Sequence, residues 1–194
     1  MSAGIMTEAT DTWTKEAARR SIRERFRAVP EGTLWRWSEH LVSRLQARED
    51  LWARPGVVAL FGGLRNEPDL VTTFLPWLQA RGWRTVFFKV GQAGLVPVEV
   101  RGPQDLKRGT LGVWEPAGDE PVETGDLDVI LVPGLAFSAR DGARLGRGGG
   151  YYDRLLADPA MRAQLVGVGF HMQLLPDVPC EPHDARIPDL VTEL

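Results

Sequence analysis

The stretch Val132-Pro-Gly-Leu-Ala-Phe-Ser-Ala-Arg-Asp-Gly-Ala-Arg-Leu-Gly-Arg-Gly-Gly-Gly-Tyr-Tyr-Asp-Arg-Leu-Leu156 joins two segments of opposite character. Before it, Asp128-Val-Ile-Leu-Val132 is short, apolar and β-branched, which predicts a buried strand. From Tyr151 to Ala157, helix-forming residues carry apolar ones at helical spacing. Between strand and helix stand Gly146, Gly148, Gly149 and Gly150, with Arg144 and Arg147 among them. Glycines let backbone N–H groups turn inward, and a following helix adds the positive end of its dipole. Arginines add forked donors suited to phosphate oxygens. Asp153, in the first helical turn, is placed to hold a magnesium ion bridging such oxygens. The combination points at a polyphosphate, against the plainer alternative of a tight turn and nothing more.

Two familiar phosphate loops are excluded. A P-loop needs Gly-x-x-x-x-Gly-Lys-Ser/Thr, and no lysine follows Lys107. A dinucleotide fingerprint needs the Gly-x-Gly-x-x-Gly order and an acidic residue about 20 positions on; neither is present. The block instead resembles the signature of the 5-formyltetrahydrofolate cyclo-ligases, also called methenyltetrahydrofolate synthetases. The shared elements are Pro133, Gly134 and Phe137, then Gly142, Arg144, Leu145, Gly146, Gly148, Gly150, Tyr151, Tyr152 and Asp153.

The remainder of the chain bounds the answer. A length of 194 residues suits one sizeable core, and 43% hydrophobic with 25% charged residues is ordinary for a soluble α/β domain. The expected organisation is a single domain over 1–194, with 1–13 a flexible tail. A net charge of −3 argues against nucleic acid as a partner. The lone cysteine, Cys180, excludes an intrachain disulfide and fits a reducing cytoplasm. No apolar run reaches membrane-spanning length and the N-terminus has no signal-peptide pattern.

Taken in order, Thr14 is placed to cap a helix to about Ala28, burying Ala18, Ile22 and Phe26. Lys15, Arg19 and Arg23 form a cationic row beside that stripe, either a solvated face or a ligand-facing one. A second helix is predicted over Gly32–Asp50, with Leu34, Trp37, Leu41, Val42 and Leu45 inward and His40 outward. A strand over Val57–Phe61 opens into a loop carrying Glu67, and Asp69 is the better cap for a helix from Leu70 to about Arg81. Strands follow at Thr85–Val90 and Leu95–Val100, then a turn or short helix at Gln104–Arg108. Glu115 precedes Pro116 and must be extended, pointing into a cleft or merely ending a strand; Trp114 is assigned to core packing above a pocket wall. A short helix is expected from Asp158-Pro159 and a strand over Leu165–Phe170.

The resemblance extends over Lys15 to Glu193 and includes the closing segments Pro179-Cys-Glu-Pro-His-Asp184 and Val191-Thr-Glu193. It implies a three-layer α/β/α fold with a mixed, mostly parallel central sheet, similar to ribose-phosphate isomerase and coenzyme A transferase-like folds. It implies ATP-dependent closure of 5-formyltetrahydrofolate to 5,10-methenyltetrahydrofolate, with ADP and phosphate released and Mg²⁺ required. By the resemblance, Lys15, Arg19, Arg144, Leu145, Gly146, Arg147, Gly148, Gly149, Gly150, Tyr151 and Tyr152 face ATP. Arg19, Glu67, Arg147, Gly148, Gly149, Gly150 and Tyr151 face the folate. Arg147 and Tyr151 are the catalytic candidates, and Asp153 and Asp184 the metal ligands. Small molecules are the expected partners, with neither nucleic acid nor membrane, and the protein is expected to be a monomer. The chain departs from the family pattern at Gly149, where some relatives have lysine, at Leu70, where threonine is usual, and in a longer N-terminus. A non-catalytic nucleotide or folate binder and a sugar-phosphate isomerase are the rival readings; consumption of ATP separates them.

Overall fold

In the computed structural model, residues 14–92, 94–109, 112–181 and 184–194 are described. The chain opens with α1, Lys15–Arg27, and Thr14 caps it by accepting the Ala17 N–H at 3.2 Å. Ala18, Ile22 and Phe26 are its buried residues, as the four-residue steps require. The predicted second helix is two: α2, Glu31–Gln46, and a single turn α3, Glu49–Trp52. Trp37 is only partly buried, its ring 5.7 Å from Phe170 and 5.4 Å from His171.

The central sheet holds six strands in the order β11-β9-β6-β1-β2-β3. They are β1 Val57–Leu60, β2 Arg84–Val90, β3 Leu95–Glu99, β6 Val129–Pro133, β9 Gln164–Val168 and β11 Leu190–Val191. All neighbours pair parallel except β3, which returns antiparallel to β2. Period-2 alternation sorts the strands' residues into two cores. Val58, Leu60, Val129 and Leu131 pack under α1–α3 and α4, Phe74–Gln79. Val57, Ala59, Ile130 and Val132 pack under α5, Tyr151–Leu156, through Leu155. Both faces are therefore covered, as the continuous burial of β1 demands. Helical layers on either side of a mostly parallel sheet agree with the expected fold class.

Three further predicted elements differ. The helix expected from Leu70 begins only at Phe74, because Pro76 lacks an N–H and is tolerated only in a first turn. Asp69 instead caps the preceding turn, accepting the Val71 and Thr72 N–H groups at 3.0 Å each. Residues 104–108 divide into a 3-10 turn, Pro103–Asp105, and β4, Leu106–Arg108, which pairs antiparallel with β5, Trp114–Pro116. Asp158-Pro159 starts no helix: Asp158 closes a turn by accepting the Ala160 N–H and the Thr124 hydroxyl. A small second sheet, β10-β7-β8, is built from Leu174–Leu175, Ala136–Ser138 and Arg144–Leu145. No helix among the described residues is long and apolar enough to cross a membrane.

Candidate active site

Chain order reverses between β1 and β6, so a crevice opens at their carboxyl ends. A cavity of about 500 Å³ lies there, lined at its floor by Leu60, Phe61 and Gly62 at the end of β1 and Pro133 and Gly134 at the end of β6. Phe88 and Val90 of β2, Leu95 of β3, and Val113 and Trp114 give it an apolar side wall. Its polar side is Glu67, Arg144, Arg147, Tyr151, Tyr152 and Asp153, with Gly146, Gly149 and Gly150 at the rim. This volume takes one drug-sized ligand.

The glycine run approaches the cavity because Gly148 and Gly150 adopt φ of +111° and +64°, in the region closed to most side chains. Residues 147–149 are exposed along the mouth. The helix they lead into has only six residues, so its dipole adds less than the sequence suggested. Arg147 reaches across the mouth, donating through Nη2 to Asn66 Oδ1 at 3.0 Å and Glu67 Oε1 at 3.1 Å. Glu67 is almost wholly buried, and that burial raises its pKa against the opposing pull of Arg147 and the Leu64 N–H. Its charged form therefore depends on a nearby donor.

Arg144 stands apart from Arg147. Its side chain is 4% exposed and its Nη2 donates to Asp153 Oδ1 at 2.6 Å, while Nη1 donates to Pro133 O at 3.2 Å. Nε is buried without a hydrogen-bond partner among the described residues. The guanidinium expected at a phosphate is thus committed to orienting Asp153, with one face 5.6 Å from the Tyr152 ring. Tyr152 packs edge-on to Phe88, and burial together with the Glu67 charge pushes its hydroxyl pKa far up, so it stays a neutral donor. The Tyr151 ring lies under Arg154, which also donates to Gly149 O. Leu145 sits in β8 with its side chain in the core, so only its backbone can meet a ligand.

From α1, Arg19 Nε donates to Gly146 O at 2.9 Å and its guanidinium lies 3.8 Å from where a Gly148 Cβ would stand. Lys15 meets the C-terminal segment, 2.7 Å from Glu181 and 2.6 Å from Asp184. Burial works against its charge, but those two carboxylates outweigh it and raise the Lys15 pKa. Asp184 and Lys15 do not line the cavity, and Asp153 and Asp184 are each held by a different cation. Among the described residues, no cluster of three or more His, Cys, Asp or Glu side chains suits a metal. His183 lies outside the described residues.

Sequence reasoning passed over several parts of the site and ranked core packing above a pocket wall for Trp114. Trp114 lines the cavity as well as packing, with the Arg108 guanidinium 3.9 Å over its ring. Arg108 also donates to Gly63 O and to Gly112 O, tying the β4–β5 hairpin to the Glu67 loop. Gly63 has no alternative there: a Cβ would stand 2.6 Å from the Trp114 nitrogen, at φ +110°. Adjacent Glu115 is buried in the middle of β5, paired with Lys107 and turned toward Gly109, with no hydrogen-bond partner for Oε1 among the described residues, and it does not line the cavity. The apolar walls from β2 and β3 had no local signal, since only sheet order brings them to the crevice.

Known proteins agree with this geometry. The profile of the 5-formyltetrahydrofolate cyclo-ligase family matches residues 12–193. A 5-formyltetrahydrofolate cyclo-ligase from Mycolicibacterium smegmatis is 46% identical over 92 residues, which is 46% of this chain and 47% of that one. The enzyme of the same name from Mus musculus is 37% identical over 79 residues, 39% of this chain and 38% of that one. The chain thus spans less than half the length of these curated relatives in the matched segments. The solved 5,10-methenyltetrahydrofolate synthetase of Aquifex aeolicus superposes with a TM-score of 0.79 at 31% identity, covering 92% of this chain and 89% of that one. That of Mycoplasma pneumoniae, at 22% identity and a TM-score of 0.76, shares the fold over 93% of this chain and 99% of its own.

Proposed function

We infer the reaction from the family: the chain belongs to the 5-formyltetrahydrofolate cyclo-ligases, and we propose that it closes 5-formyltetrahydrofolate to 5,10-methenyltetrahydrofolate at the expense of ATP. The observation that carries this is the glycine–arginine run set at the mouth of one largely apolar cavity, opposite the buried Glu67. The pterin and aryl rings occupy the cavity against Trp114 and Phe88, and Glu67 accepts from the donor edge of the pterin. The triphosphate lies outside, along Gly146–Gly150, within reach of Arg19 and Arg147. Lys15 belongs to the same side, one helical turn from Arg19.

The formamide oxygen is a poor leaving group. Transfer of the γ-phosphoryl to that oxygen breaks the β–γ bridge, releases ADP and makes it a good one; N10 then attacks the activated carbon and loses its proton to solvent, and phosphate departs carrying the former formyl oxygen. Such transfer rests on positioning and charge neutralisation more than on a strong base. Arg147 and the exposed backbone N–H groups supply them, and Tyr151 on the cavity wall orients the formyl group. Asp153 lines the cavity with Oδ1 fixed by Arg144 and is the carboxylate that would hold Mg²⁺ beside a bound triphosphate. Bound there, the ion would neutralise phosphate charge. Asp184 fits only if Lys15 moves, since the ammonium holds its carboxylate. Cytoplasmic location, for which the lone cysteine is the support, and a monomeric state belong to the same proposal.

The test is spectrophotometric. Purified protein with Mg-ATP should form the methenyl product from 5-formyltetrahydrofolate, and none by that ATP route from the 10-formyl isomer. ATP held without turnover would instead identify a binder, and turnover of a sugar phosphate without ATP an isomerase.

A further inference from the structure

The Arg147–Glu67 pair joins a carboxylate assigned to the folate to an arginine assigned to both substrates, and its two halves are unequally anchored. Glu67 is the fixed half. Its side chain is 7% exposed, and Oε2 accepts the Leu64 N–H at 3.3 Å. Arg147 is the half that can move. Its side chain is 40% exposed, between Gly146 and Gly148 on a segment outside any helix or strand. As the pair stands, the Nη2 that a phosphate would use is shared by Glu67 and Asn66.

We propose that Glu67 is a positioning residue for Arg147, withholding its guanidinium from phosphate until the folate takes the carboxylate, so that each substrate strengthens the binding of the other. This rests on the cyclo-ligase reading above. The physical ground is the cost of a lone buried charge. Removing Arg147 toward a nucleotide alone strands the Glu67 carboxylate in the cavity wall. A heterocycle with adjacent N–H donors replaces the guanidinium with a matching two-pronged donor, and the arginine is then released without that cost. Whichever substrate binds first breaks the pair, and the second finds it broken. Binding coupling of this kind is reciprocal, typically about 5- to 150-fold. It also keeps ATP from being drawn into reaction before an acceptor is in place.

Calorimetric titration of the full chain with the Mg²⁺ complex of a non-hydrolysable ATP analogue, with and without saturating 5-formyltetrahydrofolate, tests this. Wild-type protein should bind the analogue on the order of tenfold tighter when the folate is present. Glu67→Gln, which keeps the shape and removes the charge, should bind it that tightly with no folate and gain little from adding it. Arg147→Ala should bind weakly in both conditions and show no coupling. Wild-type affinity indifferent to folate, or Glu67→Gln binding the analogue no tighter than wild type, overturns the proposal. Methenyl formation by the same wild-type preparation separates the two levels. Product without coupling removes the interlock and leaves the reaction, whereas no product removes both.

Discussion

Arg144 and Arg147 stand three positions apart in the same run, and the structure gives them different work. Arg144 is buried against Asp153, itself 21% exposed, so truncating the arginine strands a carboxylate in a low-dielectric wall. Arg144→Ala should therefore cost about 3–5 kcal/mol of unfolding free energy, read as a lower urea midpoint. Arg147→Ala should cost less, because its own side chain is 40% exposed at the rim and only the Glu67 half of that pair is buried. Its loss should appear in turnover instead, by roughly the thousandfold seen when a phosphoryl-clamping arginine is removed. If the two variants share one profile, either both unstable or both merely slow, the division of labour is wrong. The sequence showed two arginines suited to phosphate; that one is consumed by its neighbour depends on β7–β8 pairing, which residue spacing does not encode.

At the scale of elements, α1 shows how far periodicity reaches. Steps of four identified its buried face and Thr14 its cap, both from local rules. The opposite question, whether Lys15, Arg19 and Arg23 meet anything, was undecidable from the row itself. The structure draws the first two inward, Lys15 to the C-terminal segment and Arg19 to Gly146 O, and leaves Arg23 exposed. Pro76 shortening the fourth helix was legible in principle, since a proline seven residues into a helix contradicts the missing N–H. The β4 strand was not legible, because only its partner β5 makes Leu106–Arg108 extended. Lys15→Ala and Arg19→Ala should lower kcat/KM by on the order of tenfold to a hundredfold, the effect of misplacing a reacting group slightly. The thermal midpoint should hold for Arg19→Ala and fall for Lys15→Ala, which also loses its tie to Glu181 and Asp184, and Arg23→Ala should do much less on both counts. Steady-state kinetics of all three decide it; equal and negligible effects would return the row to a solvated face.

At the scale of the whole molecule, the C-terminal segment is laid across the fold and fastened by charge at separate points. Lys15 of α1 takes Glu181 and Asp184, Arg48 takes Asp189 at 2.8 Å, and Arg186 takes Asp141 in the turn between β7 and β8. At its end, the fully buried Glu193 accepts the His171 N–H at 2.8 Å and lies 2.5 Å from His171 Nδ1. These ties hold β11 beside β9, which in turn carries the strand edge next to β6 and the cavity floor. Acid should loosen them in a definite window. The Ser138 hydroxyl, the Arg186 guanidinium and the Ala143 N–H hold the Asp141 pKa down to about 2, from an ordinary 3.8. A depressed folded pKa contributes stability that is complete above the unfolded value and disappears as pH falls through the folded one. Asp50 is lowered in the same direction by Arg48. Glu67, raised by burial, has the opposite sign: its charge opposes folding, and acid relieves it. Asp141→Asn should accordingly be less stable than wild type at neutral pH, with the difference shrinking between about pH 4 and pH 2 and gone below. Urea midpoints of both proteins from pH 7 to pH 2 measure it directly. A difference that stays constant across that range would mean that Asp141 holds the segment through shape and not charge.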